Sequence, residues 1–294
     1  MGFENCHPVI IMIYFCTVIF GMVSFKHPIF LMISFLCAFI YSIKRNKVRS
    51  VVLNIFLLPF IVVVAFYYSS YNHFGITILE HNMIGNNITL ESLVYGTVLG
   101  IINVGVIMWC SCIYSVITTD KIIYIFGRIS PKFSMYLSIL FRLIPRTICE
   151  IKKINVAQSC IGRGVNQGNV FRRIRNFFRI LSIVITWVIE SLATASESMR
   201  SRGSTLKGRK AFSIYRFDNR DRAYVTGMFT CITVTFMGVM LEQTDVIYNP
   251  RIIVSPITNM SFLFYLGYSI LCVMPFVLDV FTEYSFNKSK SLKD

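Results

Sequence analysis

Acidic residues are scarce in this chain. Asp and Glu total 14 against 29 Lys and Arg, and charged residues of both signs fill only 15% of the 294 positions. A water-soluble chain carries about 25% charged residues, so that class is excluded. Histidine is scarcer still, with four in all and none between 118 and 222. That stretch has no close carboxylate pair except Asp218 and Asp221, which sit among Arg216, Arg220 and Arg222, where ordinary ion pairing accounts for them. A lipid-modifying membrane enzyme would need paired carboxylates, a His-rich set or a Ser/His arrangement there. The nine cysteines offer no CxxC pair and no zinc spacing with His. They read as small apolar fillers. No E-A-A-x-x-x-G loop of a conventional importer permease occurs, and the first apolar run lacks the basic flank and small-residue cleavage site of a signal peptide.

What is present is apolar. Hydrophobic residues make up 55% of the chain, and the mean hydropathy is +0.63. Runs free of Asp, Glu, Lys and Arg occur at 8–25, 28–43, 50–79, 92–119, 223–241 and 252–278. A bilayer core about 30 Å thick takes roughly 20 helical residues, so six spans are expected. Basic residues alternate between the links: KRNKVR at 44–49 and the long segment 118–222 are rich in them, while 70–92 and 242–257 are poor. The positive-inside bias then places both termini in the cytoplasm. The fold class expected is all-α, a polytopic membrane protein of about six transmembrane helices plus long amphipathic cytoplasmic helices. Three segments follow: N-terminal spans at 1–117, a cytoplasmic-face segment at 118–222 and a C-terminal hairpin at 223–294.

Twenty of the 29 basic residues fall between 118 and 222. The net charge of +15 raises nucleic acid as a partner, but the basic residues follow topology and no nucleic-acid-binding motif accompanies them. Anionic inner-leaflet lipid is the expected contact. Ser130-Pro131 starts a helix. Phe133, Leu137, Leu140, Ile144, Ile148 and Ile151 then recur on one face, and Arg142, Arg146, Glu150 and Lys153 lie on another. Its longest uncharged run, 133–141, is too short to span. Pro145 should bend this helix. A second helix is expected over 170–201, where Ile174, Phe178, Leu181, Ile185, Val188, Leu192, Ala195 and Met199 alternate by four and three, the spacing of a helix–helix seam.

Both helices end in an Arg-Gly turn, IGRGVNQG at 161–168 and RSRGSTLKG at 200–208. Glycine takes the left-handed conformation that closes a helix, and the Arg just before it projects a rigid cationic fork from the tip. The plainer alternative is that each Arg caps its own helix and touches headgroups. Two such tips on two long amphipathic helices favour docking to a partner. The glycines at 162, 164 and 168 do not make a dinucleotide fingerprint, because the spacing is one residue too long and a helix precedes it. His73, Glu80 and His81 in a charge-poor link are too loosely spaced to read as more than solvated loop residues, and Glu190 and Glu197 read as local charge partners.

These stretches carry a resemblance. AQSCIGRG at 157–164 and ATASESMRSRG at 193–203, together with DKIIYIFGRISP at 120–131 and SFKHPIFLMISFLCAFIYSI at 24–43, resemble the transmembrane T component of energy-coupling factor transporters, the family that includes the cobalt transporter permease. The resemblance implies two crossed coupling helices whose motif arginines seat in grooves of two cytosolic ABC ATPases. The docking residues it implies are Gly162, Arg163 and Gly164 in the first motif and Ser201, Arg202 and Gly203 in the second. It implies that Leu181, Ile185, Val188 and Leu192 face a small membrane S component that binds the substrate, a vitamin or metal ion. It implies a subunit in the cell membrane with no catalytic site and no bound cofactor or metal of its own, ATP being bound by the partners. The chain departs from the pattern at Gly162 and Ser201, where Ala is usual, and at Ser204, where an aromatic often stands; Arg200 adds a second basic group beside Arg202.

Overall fold

The computed structural model describes residues 2–72, 74–81, 87–204, 206, 215 and 217–291. His73 and Asn86 fall outside that set, as do the side chains of Glu80 and His81 and part of the second Arg-Gly stretch. Eight α-helices organise the described residues: α1 (Pro8–Ser24), α2 (Pro28–Tyr71), α3 (Leu90–Val116), α4 (Thr119–Ile129), α5 (Pro131–Cys160), α6 (Val170–Ser201), α7 (Asn219–Met240) and α8 (Asn259–Ser291). The two charge-poor links each form a small antiparallel hairpin, β1 (Ile78–His81) with β2 (Asn87–Thr89) and β3 (Val246–Ile247) with β4 (Ile253–Val254).

Six stretches are long and apolar enough to cross a bilayer: Pro28–Val48, Ser50–Tyr71, Leu90–Val116, Val170–Ser201, Asn219–Met240 and Asn259–Phe286. The chain is an all-α polytopic membrane protein. The membership of the six differs from expectation in two places. The run at 8–25 becomes α1, a shorter apolar helix of 17 residues. The helix α6, expected as an amphipathic helix, has the length and composition of a span.

The chain divides into two compact units. One joins Met1–Thr118 to Tyr215–Asp294, and the other is Thr119–Ile214. The N-terminal spans and the C-terminal hairpin, expected as separate segments, thus fold as one unit. Inside it, α2 is two helices. Lys47 leaves the helical region at φ 52, ψ −135. A straight helix would hold residues eight apart about 12 Å from one another, yet the hydroxyls of Ser42 and Ser50 touch. The chain therefore doubles back at the basic link, without a loop. The second half of α2 lies tightly against α3. A Cβ at Gly96 would come 2.8 Å from the Ala65 carbonyl oxygen, and one at Gly100 would come 2.9 Å from that of Ile61. Two glycines four apart let these backbones approach, as small residues do between membrane helices.

The core of this unit is aromatic. Trp109 on α3 is fully buried and donates to Ser34 Oγ at 3.2 Å. Tyr14 and Phe15 on α1 meet its ring edge-on, with centroids 6.3 and 6.2 Å away. Several charges in this unit are engaged. Asp279 on α8, 7% exposed, accepts from Phe3 N at 2.7 Å and from Tyr41 OH at 3.4 Å. Arg45 pairs with Glu4, and Lys44 reaches Glu283 at 3.2 Å. These contacts tie the start of the chain, the basic link and the end of α8 together.

The second unit is α4, α5 and α6. Ser134 Oγ on α5 donates to Ile123 O on α4 at 3.0 Å, and Phe126 and Phe133 meet edge-on at 5.3 Å. Between α5 and α6, the guanidinium of Arg146 lies 5.3 Å over the ring of Trp187, a cation–π contact. Pro145 sits inside α5, which continues through it.

Candidate functional site

Both Arg-Gly tips are helix C-termini, and both close in the same way. At the end of α5, Gly162 has φ +75; its N–H donates to Ser159 O at 3.1 Å, and the next N–H, of Arg163, donates to Gln158 O at 2.9 Å. At the end of α6, Gly203 has φ +76; its N–H donates to Arg200 O at 3.1 Å, and that of Ser204 donates to Met199 O at 3.1 Å. Each is a complete Schellman motif. Backbone N–H groups satisfy the last carbonyls, so the guanidiniums are not needed as caps. Arg163 and Arg202 are exposed, and neither side chain has a hydrogen bond or ion pair among the described residues.

The backbone corrects one expectation. The two motifs are not in the same register. In α6 the arginine precedes the left-handed glycine, as expected, with Ser201 as the last helical residue. In α5 the left-handed glycine is Gly162, and Arg163 follows it. By position in the turn, Arg163 corresponds to Ser204 and not to Arg202. The two tips aim their arginines from successive positions of one motif, which gives the two docking points different geometry.

Gly164 has a different role from the capping glycines. It is buried, and a Cβ there would lie 2.9 Å from the Ser159 Cβ. Around it the turn is closely bonded. Gly164 N–H donates to Gln167 Oε1 at 3.0 Å, Val165 N–H to Asn155 Oδ1 at 3.2 Å, and Asn176 Nδ2 to Gly164 O at 3.1 Å. This network locks the start of α6 to the end of α5, so the first tip is rigid.

The predicted seam does not close within this chain. On α6 the buried residues are Asn176, Ile180 and Val184. Leu181 is 39% exposed, Ile185 50% and Leu192 38%, with Val188 half-buried. The stripe that packs is offset by one position from the stripe that was expected. On α5 the apolar residues Phe133, Leu140, Ile144, Ile148 and Ile151 are exposed too. The second unit therefore presents two long apolar faces to something outside itself.

A cleft of about 1100 Å³ opens within this unit, lined from α4 by Asp120 and Arg128, from α5 by Arg142 and Arg146, and from α6 by Ala195 and Arg202, among others. Helical spacing puts Arg142 and Arg146 on one face of α5, and only the packing of the three helices brings Arg128 and Arg202 to the same cleft. Lys153, two turns beyond Arg146, donates to Glu150 at 2.8 Å, and this hydrogen bond holds its pKa above the usual lysine value. No group of three or more His, Cys, Asp or Glu side chains placed to hold a metal occurs among the described residues.

No protein-family model matches the chain, and no curated protein matches it. What the molecule can do rests on its own geometry: two capped helix ends with free arginines, two unpartnered apolar faces and one arginine-lined cleft.

Proposed function

We propose that this chain is the transmembrane coupling subunit of an energy-coupling factor type importer. In this reading two cytosolic ABC ATPases dock at Arg163 and Arg202. A small membrane S component that binds a vitamin or metal ion lies against the exposed faces of α5 and α6, Leu181, Ile185, Val188 and Leu192 included. The chain has no catalytic site of its own; ATP is bound and hydrolysed by the partners. It resides in the cell membrane with both termini in the cytoplasm, the side to which the basic segments point.

One observation carries this reading above the capping alternative. Both helix ends are capped by backbone N–H groups, and the arginine side chains beside them have no partner among the described residues. An arginine fork suits a carboxylate or a row of carbonyls in a groove. The apolar faces supply the second requirement, a surface on which a membrane partner can ride. Helices joined as rigidly as the bonded turn at 161–168 joins α5 to α6 can pass a displacement at the tip along their length.

Co-purification from the native membrane tests the proposal. Two ATPases together with a small membrane protein are expected. Two ATPases alone would point to a permease that forms the pathway itself, and neither would point away from transport.

A further inference from the structure

The arginine-lined cleft shares Arg202 with the ATPase docking point and Leu192 with the seam, but its other arginines belong to neither. Its four arginines, Arg128, Arg142, Arg146 and Arg202, face a single carboxylate, Asp120, which lies in the first turn of α4, where the helix dipole favours it. None of the four makes an ion pair among the described residues; Arg146 alone has a partner, the Trp187 ring. Arg142 and Arg146 stand four apart on α5, a spacing at which like charges repel. The cleft thus concentrates positive charge without compensating it, an arrangement completed by an anion.

The rest of the lining narrows the anion. Ser138, Ser191 and Ser198 add hydroxyl donors, and Ile139, Leu143 and Leu192 add an apolar wall. Arginine forks and hydroxyls match the several acceptor oxygens of a phosphate. An apolar wall beside them matches the chains of an amphiphile. At about 1100 Å³ the space is at the upper end of small-molecule pockets. Only Ile117 and Thr118 separate the α3 span from α4, the first wall of the cleft, so chain connectivity tethers this wall to the end of a span. Anionic headgroups are concentrated at such a boundary and attract basic side chains there.

We infer that this cleft binds the phosphate headgroup of an anionic phospholipid, held by Arg128, Arg142 and Arg146 with Arg202 at its edge, while the apolar wall takes the upper part of the acyl chains. A bound lipid relieves the repulsion between Arg142 and Arg146 and braces α4 against α5 and α6. The site shares Arg202 with the ATPase reading, so the variants that test it leave Arg163 and Arg202 intact.

The test is a binding titration of the whole chain in neutral detergent with short-chain phosphatidylglycerol, with phosphatidylcholine of the same chain length, and with inorganic phosphate. Saturable binding of one phosphatidylglycerol per chain is expected, with phosphatidylcholine at least tenfold weaker and millimolar inorganic phosphate unable to displace the lipid. The R142Q/R146Q double variant should weaken binding about thirty-fold, at about fivefold for each basic group near a membrane surface. R175Q/R179Q, which removes the same charge from α6 outside the cleft, should leave it unchanged. R142K/R146K keeps the charge, loses the forks and should weaken binding several-fold, so it reads the site even if the Gln variant fails to fold. Equal binding of the two lipids, or an equal loss in R175Q/R179Q, would overturn the inference. Displacement by inorganic phosphate would assign the cleft to a free anion instead, and displacement by a short acidic peptide would assign it to a polypeptide; either result also overturns it.

Discussion

The two units treat several of their charges differently. In the unit built from both ends of the chain, Glu4 meets Arg45, Lys44 meets Glu283, and Asp279 accepts two hydrogen bonds. In the unit at 119–214, Arg128, Arg142, Arg163 and Arg202 meet no carboxylate among the described residues. Both units expose apolar side chains, Phe56 and Tyr114 in the first and Phe178 and Ile189 in the second, and the first also buries an aromatic cluster that includes Trp109, Tyr14 and Phe30. Burial without pairing is costly for a charge, so groups that hold a fold together are paired. Charges and apolar faces left open on a folded unit are there for contacts outside it. The first unit ties several of its charges together internally, and on the proposed reading partners take up the open charges and faces of the second.

That contrast is broken first by changing the tips. Arg163→Ala and Arg202→Ala together should abolish ATPase co-purification and coupled transport, since losing one side of a buried charged hydrogen bond costs about 2–5 kcal/mol at each site. The melting temperature should stay within about a degree of wild type, because backbone groups alone cap both helices. A large fall in melting temperature would make these arginines structural. Lys at either position should rescue only in part, because it keeps charge and loses the planar fork. Arg173 is a poor control, because its Nε donates to Gly168 O at 3.2 Å; Arg175→Ala serves better and should change nothing.

Asp279→Ala should do the reverse. It leaves Phe3 N and Tyr41 OH without their acceptor, and a buried group so orphaned costs about 1–3 kcal/mol. Denaturant unfolding should register that loss, while ATPase retention by the surviving folded protein stays normal. Weakened ATPase retention at full stability would show that the first unit is not merely a frame.

Gly96→Val should cost about 1–3 kcal/mol through overpacking, because the obstacle is the Ala65 backbone, which cannot rotate aside. Unfolding measurements that show no loss would mean that α2 and α3 can separate freely.

Ile185→Asp sharpens the comparison most cheaply. At 50% exposure the substitution should move the stability of the isolated chain in detergent by less than about 0.5 kcal/mol, as surface changes do. Its effect should appear only on assembly, as lost transport with ATPase binding retained. Unfolding of the isolated chain by this change would place the seam inside the molecule after all.

Much of this was readable in residues alone. The scarcity of charged residues, the apolar runs and the 3.6-residue stripes determined an all-α membrane protein. Ser130-Pro131 marked the start of α5, and Gly162 and Gly203 marked two helix ends, because capping is local chemistry within about six residues. Periodicity likewise placed α6 at Val170–Ser201. Its buried face was not readable, because apolar residues adjoin on two faces: Ile180 and Val184 pack, while their neighbours Leu181 and Ile185 do not. Which face wins depends on where α5 lies. The register offset between the arginines needed φ at Gly162 and Gly203, since both stretches spell Arg-Gly. The doubling-back at Lys47 needed the contact between Ser42 and Ser50, since a basic link gives no length for a loop. The cleft needed three helices at once. Arg128 and Arg202 are far apart in sequence, and only the packing of α4 and α6 around α5 brings their charges to one place.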